Sequence, residues 1–291
     1  MEKIALFHGL AAILMWSASP LFNSYLINVP LDMIVLVTFG LAFISFLIFN
    51  PSSFYKSIKQ ADRLGLIIFT CCVYFNQVFY IKAFRFLPAE YVELTYYLWP
   101  LMLIIILSLS KIARFQSYHF IGVILCILSI PVLSSSPTIV VDFNFLKGIS
   151  YALISALAWA IYNSTARVIK VGDSLSLVYL ICFLISLSSF NKWNDIAMLK
   201  NPDAFLPLLA LGCGILFLSV RMWSYAIHHG CLKTLSLLPY MVPTISISLL
   251  VLCKKTSFSY NLIFSTLLLS IGALVAAYPS IKQKIKTSQV G

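Results

Sequence analysis

The sequence predicts an all-α membrane protein with ten transmembrane helices built as two inverted five-helix repeats. Three observations carry that prediction. First, 61% of the 291 residues are hydrophobic and 10% are charged, against about 45–50% apolar and about 25% charged in soluble domains. A mean hydropathy of +0.97, sustained from end to end, exceeds what one soluble core can hide. Second, ten helices of about 20 residues take roughly 200 positions and leave about nine per connection, so ten spans fit and a soluble domain does not. Third, two sequence anchors recur at one fixed offset.

The apolar runs lie at 4–27, 31–49, 64–83, 91–110, 118–133, 146–164, 175–190, 204–226, 234–253 and 260–278. Between them, Asn50-Pro51-Ser52-Ser53, Ser134-Ser135-Ser136-Pro137 and Asn201-Pro202-Asp203 read as loops, where Pro and Ser disfavour helix continuation. The first run reads as a retained helix and not a cleaved signal, because Glu2 stands in the basic region and Pro20 follows Ser17-Ala18-Ser19. With the N-terminus inside, Lys3, Lys56, Lys59, Arg63, Lys111, Arg114, Arg167, Lys170, Arg221, Lys233, Lys282, Lys284 and Lys286 share one side. Lys82, Arg85, Lys147, Lys192, Lys200, Lys254 and Lys255 share the other. The twofold excess predicts both termini in the cytoplasm of a bacterial inner membrane.

Gly9-Leu10-Ala11-Ala12-Ile13-Leu14-Met15-Trp16-Ser17 resembles Ala152-Leu153-Ile154-Ser155-Ala156-Leu157-Ala158-Trp159-Ala160, and Tyr97-Leu98-Trp99-Pro100 resembles Tyr240-Met241-Val242-Pro243. Trp16 to Trp159, Tyr97 to Tyr240 and Pro100 to Pro243 are each separated by 143 positions. Five spans per half, an odd number, turn the second half over in the membrane, giving repeats 1–143 and 144–291 and an architecture suited to alternating access. The other reading of these rings is an aromatic belt at the interfaces.

Proline within a spanning helix removes a donor and displaces the carbonyl four residues earlier, so Pro100 and Pro243 are expected to kink their helices and free the carbonyls of Tyr96 and Pro239. Such kinks favour a wet or protein-lined cavity, and Tyr97 and Tyr240 fall near the kink face. Trp16, Tyr80, Trp99, Trp159, Tyr162 and Trp223 add large rings with a polar handle, suited to an amphipathic or aromatic solute or, equally, to helix packing. Asn76 and Gln77 lie deep in the third run, as ligand contacts or as interhelical hydrogen bonds. Arg221 can meet a substrate carboxylate or snorkel to the interface. Glu90 suits a helix N-terminus; Glu93, a turn deeper, can serve there too, or meet a substrate cation or carry a proton. With nine carboxylates and none placed at mid-span, facilitated diffusion or exchange is expected.

Other classes fit less well. The net charge of +11 is scattered through loops and not gathered on one face, which argues against nucleic-acid binding. The seven Cys show no C-x-x-C spacing, and His119, His228 and His229 form no metal-ligand pattern. No metal or cofactor is therefore expected. Without G-x-S-x-G or paired intramembrane Asp, an intramembrane enzyme, or a scaffold, is the different-class alternative.

The residues Leu14-Met15-Trp16-Ser17, Tyr97-Leu98-Trp99-Pro100, Trp159-Ala160-Ile161-Tyr162, Trp223, His229-Gly230 and Tyr240-Met241-Val242-Pro243 resemble the drug/metabolite transporter superfamily, and within it the aromatic amino acid exporters of the YddG type. That resemblance implies a ten-helix, monomeric carrier in the lipid bilayer. Its central cavity is implied to be lined by Trp16, Tyr80, Tyr97, Trp99, Trp159 and Tyr240. Arg221, Glu93 and Lys233 depart from the small neutral residues those exporters carry. The leading reading is export of an aromatic or apolar amino acid, with Arg221 on its carboxylate. The rival is uptake or exchange of a cationic, ring-bearing metabolite such as S-adenosylmethionine, with Glu93 on the cation.

Overall fold

The computed structural model describes residues 2–60, 62–111, 117–134, 141–166, 175–235 and 238–287, with side chains as far as 276 except at 53, 60, 232 and 233. It is all-helical, with no strand among the described residues. In chain order the helices are α1 (Glu2–Ser17), α2 (Ser19–Tyr25), α3 (Leu31–Phe49), α4 (Pro51–Gln60), α5 (Arg63–Ala83), α6 (Ala89–Tyr96), α7 (Trp99–Leu109) and α8 (Ser117–Ser134). There follow α9 (Phe143–Thr165), α10 (Leu175–Ser189), α11 (Pro202–Leu209), α12 (Ser219–His229), α13 (Leu232–Leu235), α14 (Val242–Leu252) and α15 (Tyr260–Thr287). A π-helix, Ala210–Leu218, joins α11 to α12, and short 3-10 helices cover Trp193–Lys200 and Leu238–Met241.

Seven helical stretches are long and apolar enough to cross a membrane: Glu2–Tyr25, Leu31–Phe49, Arg63–Ala83, Ala89–Leu109, Ser117–Ser134, Phe143–Thr165 and Pro202–His229. Three shorter apolar helices, Leu175–Ser189, Leu238–Leu252 and Tyr260–Ala276, occupy the remaining expected runs. Ile48, Phe49, Leu109 and Phe120 stand exposed along these helices, an exterior that water does not tolerate and acyl chains do. Two buried cores sit inside. One gathers α6, α8, α14 and α15, the other α3, α5, α10 and the π-helix, and Trp16 packs against both.

The turn clusters end the spans as expected, but two of them open helices where loops were expected. Pro51 begins α4, because proline's fixed φ and missing donor suit a first helical turn. Asn201 caps α11 by accepting from the Asp203 N–H at 2.9 Å. Residues 135–137 of the third cluster lie outside the described residues. Asp62 and Asp142 cap α5 and α9, accepting from the Gly65 and Phe145 N–H groups at 2.7 Å each.

Pro100 and Pro243 interrupt their segments instead of bending a continuous helix. Each is the second residue of a new helix, α7 and α14, following a break at Tyr97-Leu98 or a 3-10 turn at Leu238–Met241. A proline that starts a helix disturbs no earlier turn. The expectation about the freed carbonyl holds in the second half, where the Tyr97 hydroxyl donates to the Pro239 carbonyl at 3.0 Å. That bond also joins the two interrupted segments to each other.

The main helix pairs are α8 with α15, α5 with α9, α1 with α12, α3 with α10, α3 with the π-helix and α7 with α9. Secondary pairs are α6 with α9, α1 with α14, α5 with α10 and α6 with α14. Small residues permit the tightest crossings. A Cβ on Gly122 would stand 2.6 Å from the Gly272 carbonyl and 2.7 Å from the Ala276 Cβ, whereas one on Gly214 meets nothing within 4 Å. Gly122→Val is therefore expected to lower unfolding free energy by about 1–3 kcal/mol, read as an earlier thermal midpoint in detergent, with Gly214→Ala unaffected or slightly stabilised. Tyr97→Phe, which strands the Pro239 carbonyl, should cost about 1–2 kcal/mol in the same measurement.

Candidate functional site

The break in α6 and α7 organises a polar group inside an otherwise apolar core. Glu93 lies one turn before the break and is 2% exposed. Its Oε2 accepts from the Tyr80 hydroxyl of α5 at 3.0 Å. The Ser246 side chain of α14 lies beside the same carboxyl; its hydroxyl, fully buried, forms no closed hydrogen bond. On the other flank, Ser19 of α2 lies against the Tyr80 phenol. Tyr80 also packs on Tyr96, with ring centroids 4.8 Å apart. Tyr97 and Tyr240 are neighbours through their phenols. Glu93, the fifth residue of the span Ala89–Leu109, is thus buried inside the protein little more than one turn from the start of that span.

The remaining candidates fall into separate places. Trp16 and Trp223 meet with centroids 5.3 Å apart, across the α1 and α12 crossing. Trp159 and Tyr162 stack at 4.9 Å and 5°, and Phe69 meets Tyr162 edge-on. Trp99 is half-buried at the start of α7. Asn76 is engaged between helices: its amide donates to the Ser155 carbonyl and hydroxyl at 3.1 Å each and to the Tyr96 hydroxyl at 3.3 Å, while Ser155 donates back to the Asn76 carbonyl at 2.8 Å. Arg221 is exposed, on the side of α12 opposite the buried Ser219 and Ala226. The structure does not bring it to Glu93 or the tyrosines.

Sequence reading passed over Ser19, Ser155 and Ser246 and gave Tyr96 no role beyond its carbonyl. In apolar helices a serine commonly satisfies itself on the preceding turn, as Ser17 does on the Ile13 carbonyl, so nothing in its spacing marks it as a partner for another helix. The signal that was available is the polar residue opposite it, Asn76 or Glu93.

On one face, polar contacts join the connections between spans. Arg85 donates to the Val29 carbonyl, and burial pulls its guanidinium below the usual range. The Thr256 hydroxyl donates to Glu90 Oε2 at 2.7 Å, Lys255 Nζ stands 3.6 Å from the Tyr25 ring centroid, and Lys192 pairs with Asp32 at 3.5 Å. Together they tie the start of α6 and the end of α2 to the connection between α14 and α15, and the start of α3 to the segment that follows α10.

Comparison with known proteins agrees with this reading. Residues 3–135 match the model of the EamA-like transporter family. The aromatic amino acid exporter YddG of Ancylobacter novellus is 24% identical over 207 residues, covering 68% of this chain and 70% of the exporter. A crystal structure of a protein 20% identical in sequence superposes with a TM-score of 0.68 over 97% of this chain and 99% of the other, a likeness of fold. A multi-pass helical membrane protein whose residues 3–135 match the EamA-like model, and which is similar to a YddG exporter along two thirds of its length, resembles small-molecule transporters and not enzymes.

Proposed function

We propose that the chain is a monomeric inner-membrane carrier of amino acids or related small metabolites that works by alternating access. Its ten segments form two antiparallel halves, 1–143 and 144–291, with both termini in the cytoplasm. The observation that carries this reading is the pairing of segments. Adding five to each segment number, counted modulo ten, turns the crossing of segments 1 and 8 (α1 with α12) into that of 6 and 3 (α9 with α5). It likewise turns 4 and 6 (α7 with α9) into 9 and 1 (α14 with α1), and 2 and 8 (α3 with the π-helix) into 7 and 3 (α10 with α5). The pairs 2 and 7, 4 and 9, and 5 and 10 are mates of themselves.

Residue contacts follow the same exchange. Cys126 donates to the Leu269 carbonyl and Tyr97 neighbours Tyr240, both pairs 143 positions apart. Gly9 against Ala226 in one crossing corresponds to Ala152 and Ala83, both fully buried, in the other. A pseudo-two-fold axis in the membrane plane accounts for all of these, and an inverted repeat is the construction on which rocking carriers rest. The distribution of Lys and Arg between connections supports the orientation.

For the solute, the relative named as an aromatic amino acid exporter and the cluster of Tyr80, Tyr96, Tyr97 and Tyr240 favour an aromatic or otherwise apolar amino acid moved outward. Trp16, Trp99, Trp159, Tyr162 and Trp223 would line its route, and Asn76 would hold α5 to α9 beside it. A second reading, uptake or exchange of a cationic ring-bearing metabolite, draws on one observation: the ionisable side chain buried beside those rings is the acid Glu93, while Arg221 is exposed.

Reconstituted protein should move labelled L-tryptophan or S-adenosylmethionine into vesicles preloaded with the same compound faster than into empty ones. Equal rates in both would count against exchange transport, and no flux above protein-free vesicles would sink the carrier reading. Trp99→Ala should slow the flux about twofold to tenfold, the kinetic equivalent of one aromatic contact.

A further inference from the structure

Glu93 is the fully buried carboxyl among the described residues, and its surroundings are neutral. The titratable groups that act on it or on which it acts are the phenols of Tyr80, Tyr96 and Tyr97. Of the others on elements packed against α6, Arg63, Cys71, Cys72 and Tyr74 lie six or more residues before Tyr80 on α5, Tyr162 of α9 lies against Phe69, and the rest are engaged elsewhere. On α5, the Lys82 ammonium lies over the rings of Phe79 and Tyr151. On α9, Lys147 lies over Phe86. On α8, His119 packs on Tyr118 and Cys126 donates to the Leu269 carbonyl. On α2, Tyr25 lies under Lys255. Helix α14 brings only the Ser246 hydroxyl, fully buried and without a closed hydrogen bond. On α6 itself, Glu90 is held by Thr256.

A carboxylate removed from water with no counter-charge costs more than one hydroxyl donor returns, so the closed form accommodates the neutral acid. The acid also sits one turn from the break where the two halves meet at Tyr97 and Pro239. Any separation of the halves there brings water to it. The position 143 residues later in the chain is Ser236, so the charge belongs to one half only.

We propose that Glu93 is a proton-binding site that alternates between a proton and the cationic group of the solute. In the closed form the carboxyl carries the proton. When the site opens, the O–H bond breaks, the proton passes to water on that side, and the carboxylate pairs with an ammonium or other cation on the solute. Reprotonation from the other side releases the solute there. One proton and one positive charge on the solute cross in opposite directions, and nothing is oxidised or reduced. This inference rests on the carrier reading above and deepens it by naming a cationic group as what the acid recognises.

Two measurements on the full-length protein test it separately from that reading. Infrared difference spectra of purified protein titrated with acid and base should contain a protonated-carboxyl carbonyl band near neutral pH. The band should be absent in Glu93→Gln, kept in Glu93→Asp and displaced along the pH axis in Tyr80→Phe. A wild-type spectrum indistinguishable from that of Glu93→Gln overturns the proposal without reference to transport.

In vesicles, the probes are L-tryptophan and the permanently charged indolylethyl-trimethylammonium ion, which cannot cross as a neutral base. An acidic interior should make wild-type vesicles accumulate the quaternary ion several-fold above pH-matched vesicles, and Glu93→Gln should abolish that accumulation. Flux of either probe that ignores the pH gradient refutes the proton exchange and leaves the carrier intact. Flux of neither probe refutes the carrier reading, and the infrared band still decides the protonation of Glu93.

Discussion

Lipid offers no hydrogen bonds, and that constraint governs the rest of this structure. A helix can be interrupted inside the bilayer only where another part of the chain satisfies the backbone it frees. The two prolines that interrupt α6 and α7 on one side, and the 3-10 turn and α14 on the other, are placed so that the interruptions face each other, and the Tyr97 hydroxyl bonds to the Pro239 carbonyl across the gap. The discontinuities therefore sit in the protein interior, next to the buried polar group of Tyr80, Glu93 and Ser246. Asn76 and Ser155 solve the same problem nearby, trading donors and acceptors between α5 and α9.

Under the proposed repeat, the packing is close to symmetric and the chemistry is not. Small residues recur at matched positions of the crossings, Gly9 and Ala226 in one and Ala152 and Ala83 in the other, because backbones can approach only where side chains are absent. By contrast, Tyr80 corresponds to Trp223 and Trp99 to Val242 in the sequence offset. Duplicated packing with diverged polar groups is what a carrier needs when two similar halves must enclose a single, polarised solute. Arg221, on the exposed side of α12, stands apart from this buried chemistry.

Much of this was legible in the sequence, and the reasons differ by feature. The apolar runs gave the helices because spanning length and composition are imposed by the bilayer. Trp99-Pro100 and Val242-Pro243 gave the places of interruption because proline's geometry is local. The burial of Glu93 against Tyr80 was not legible, since it depends on how α6 packs on its neighbours. Nor were the partners of Asn76: an amide in an apolar run announces that it needs hydrogen bonds without saying whether a helix or a ligand provides them. The π-helix at Ala210–Leu218 escaped notice as well. Its Gly212 lies against α3, where a Cβ would stand 2.6 Å from the Leu41 Cβ and 3.0 Å from the Thr38 carbonyl, a fit that no hydropathy profile encodes.

The seam between α8 and α15 has its own mechanical meaning. Where Gly122 and Gly272 meet, main chain touches main chain, and a contact made without rotamers has no alternative arrangement to snap into. Such a joint tolerates rolling of one rod on the other and resists sliding, since translation would drive the flanking Cys126 and Ala276 into the opposite backbone. Movement of the two proposed halves would thereby be channelled into a tilt about this line, with the largest excursions at the far edge, where α3 and α10 pack through bulkier side chains.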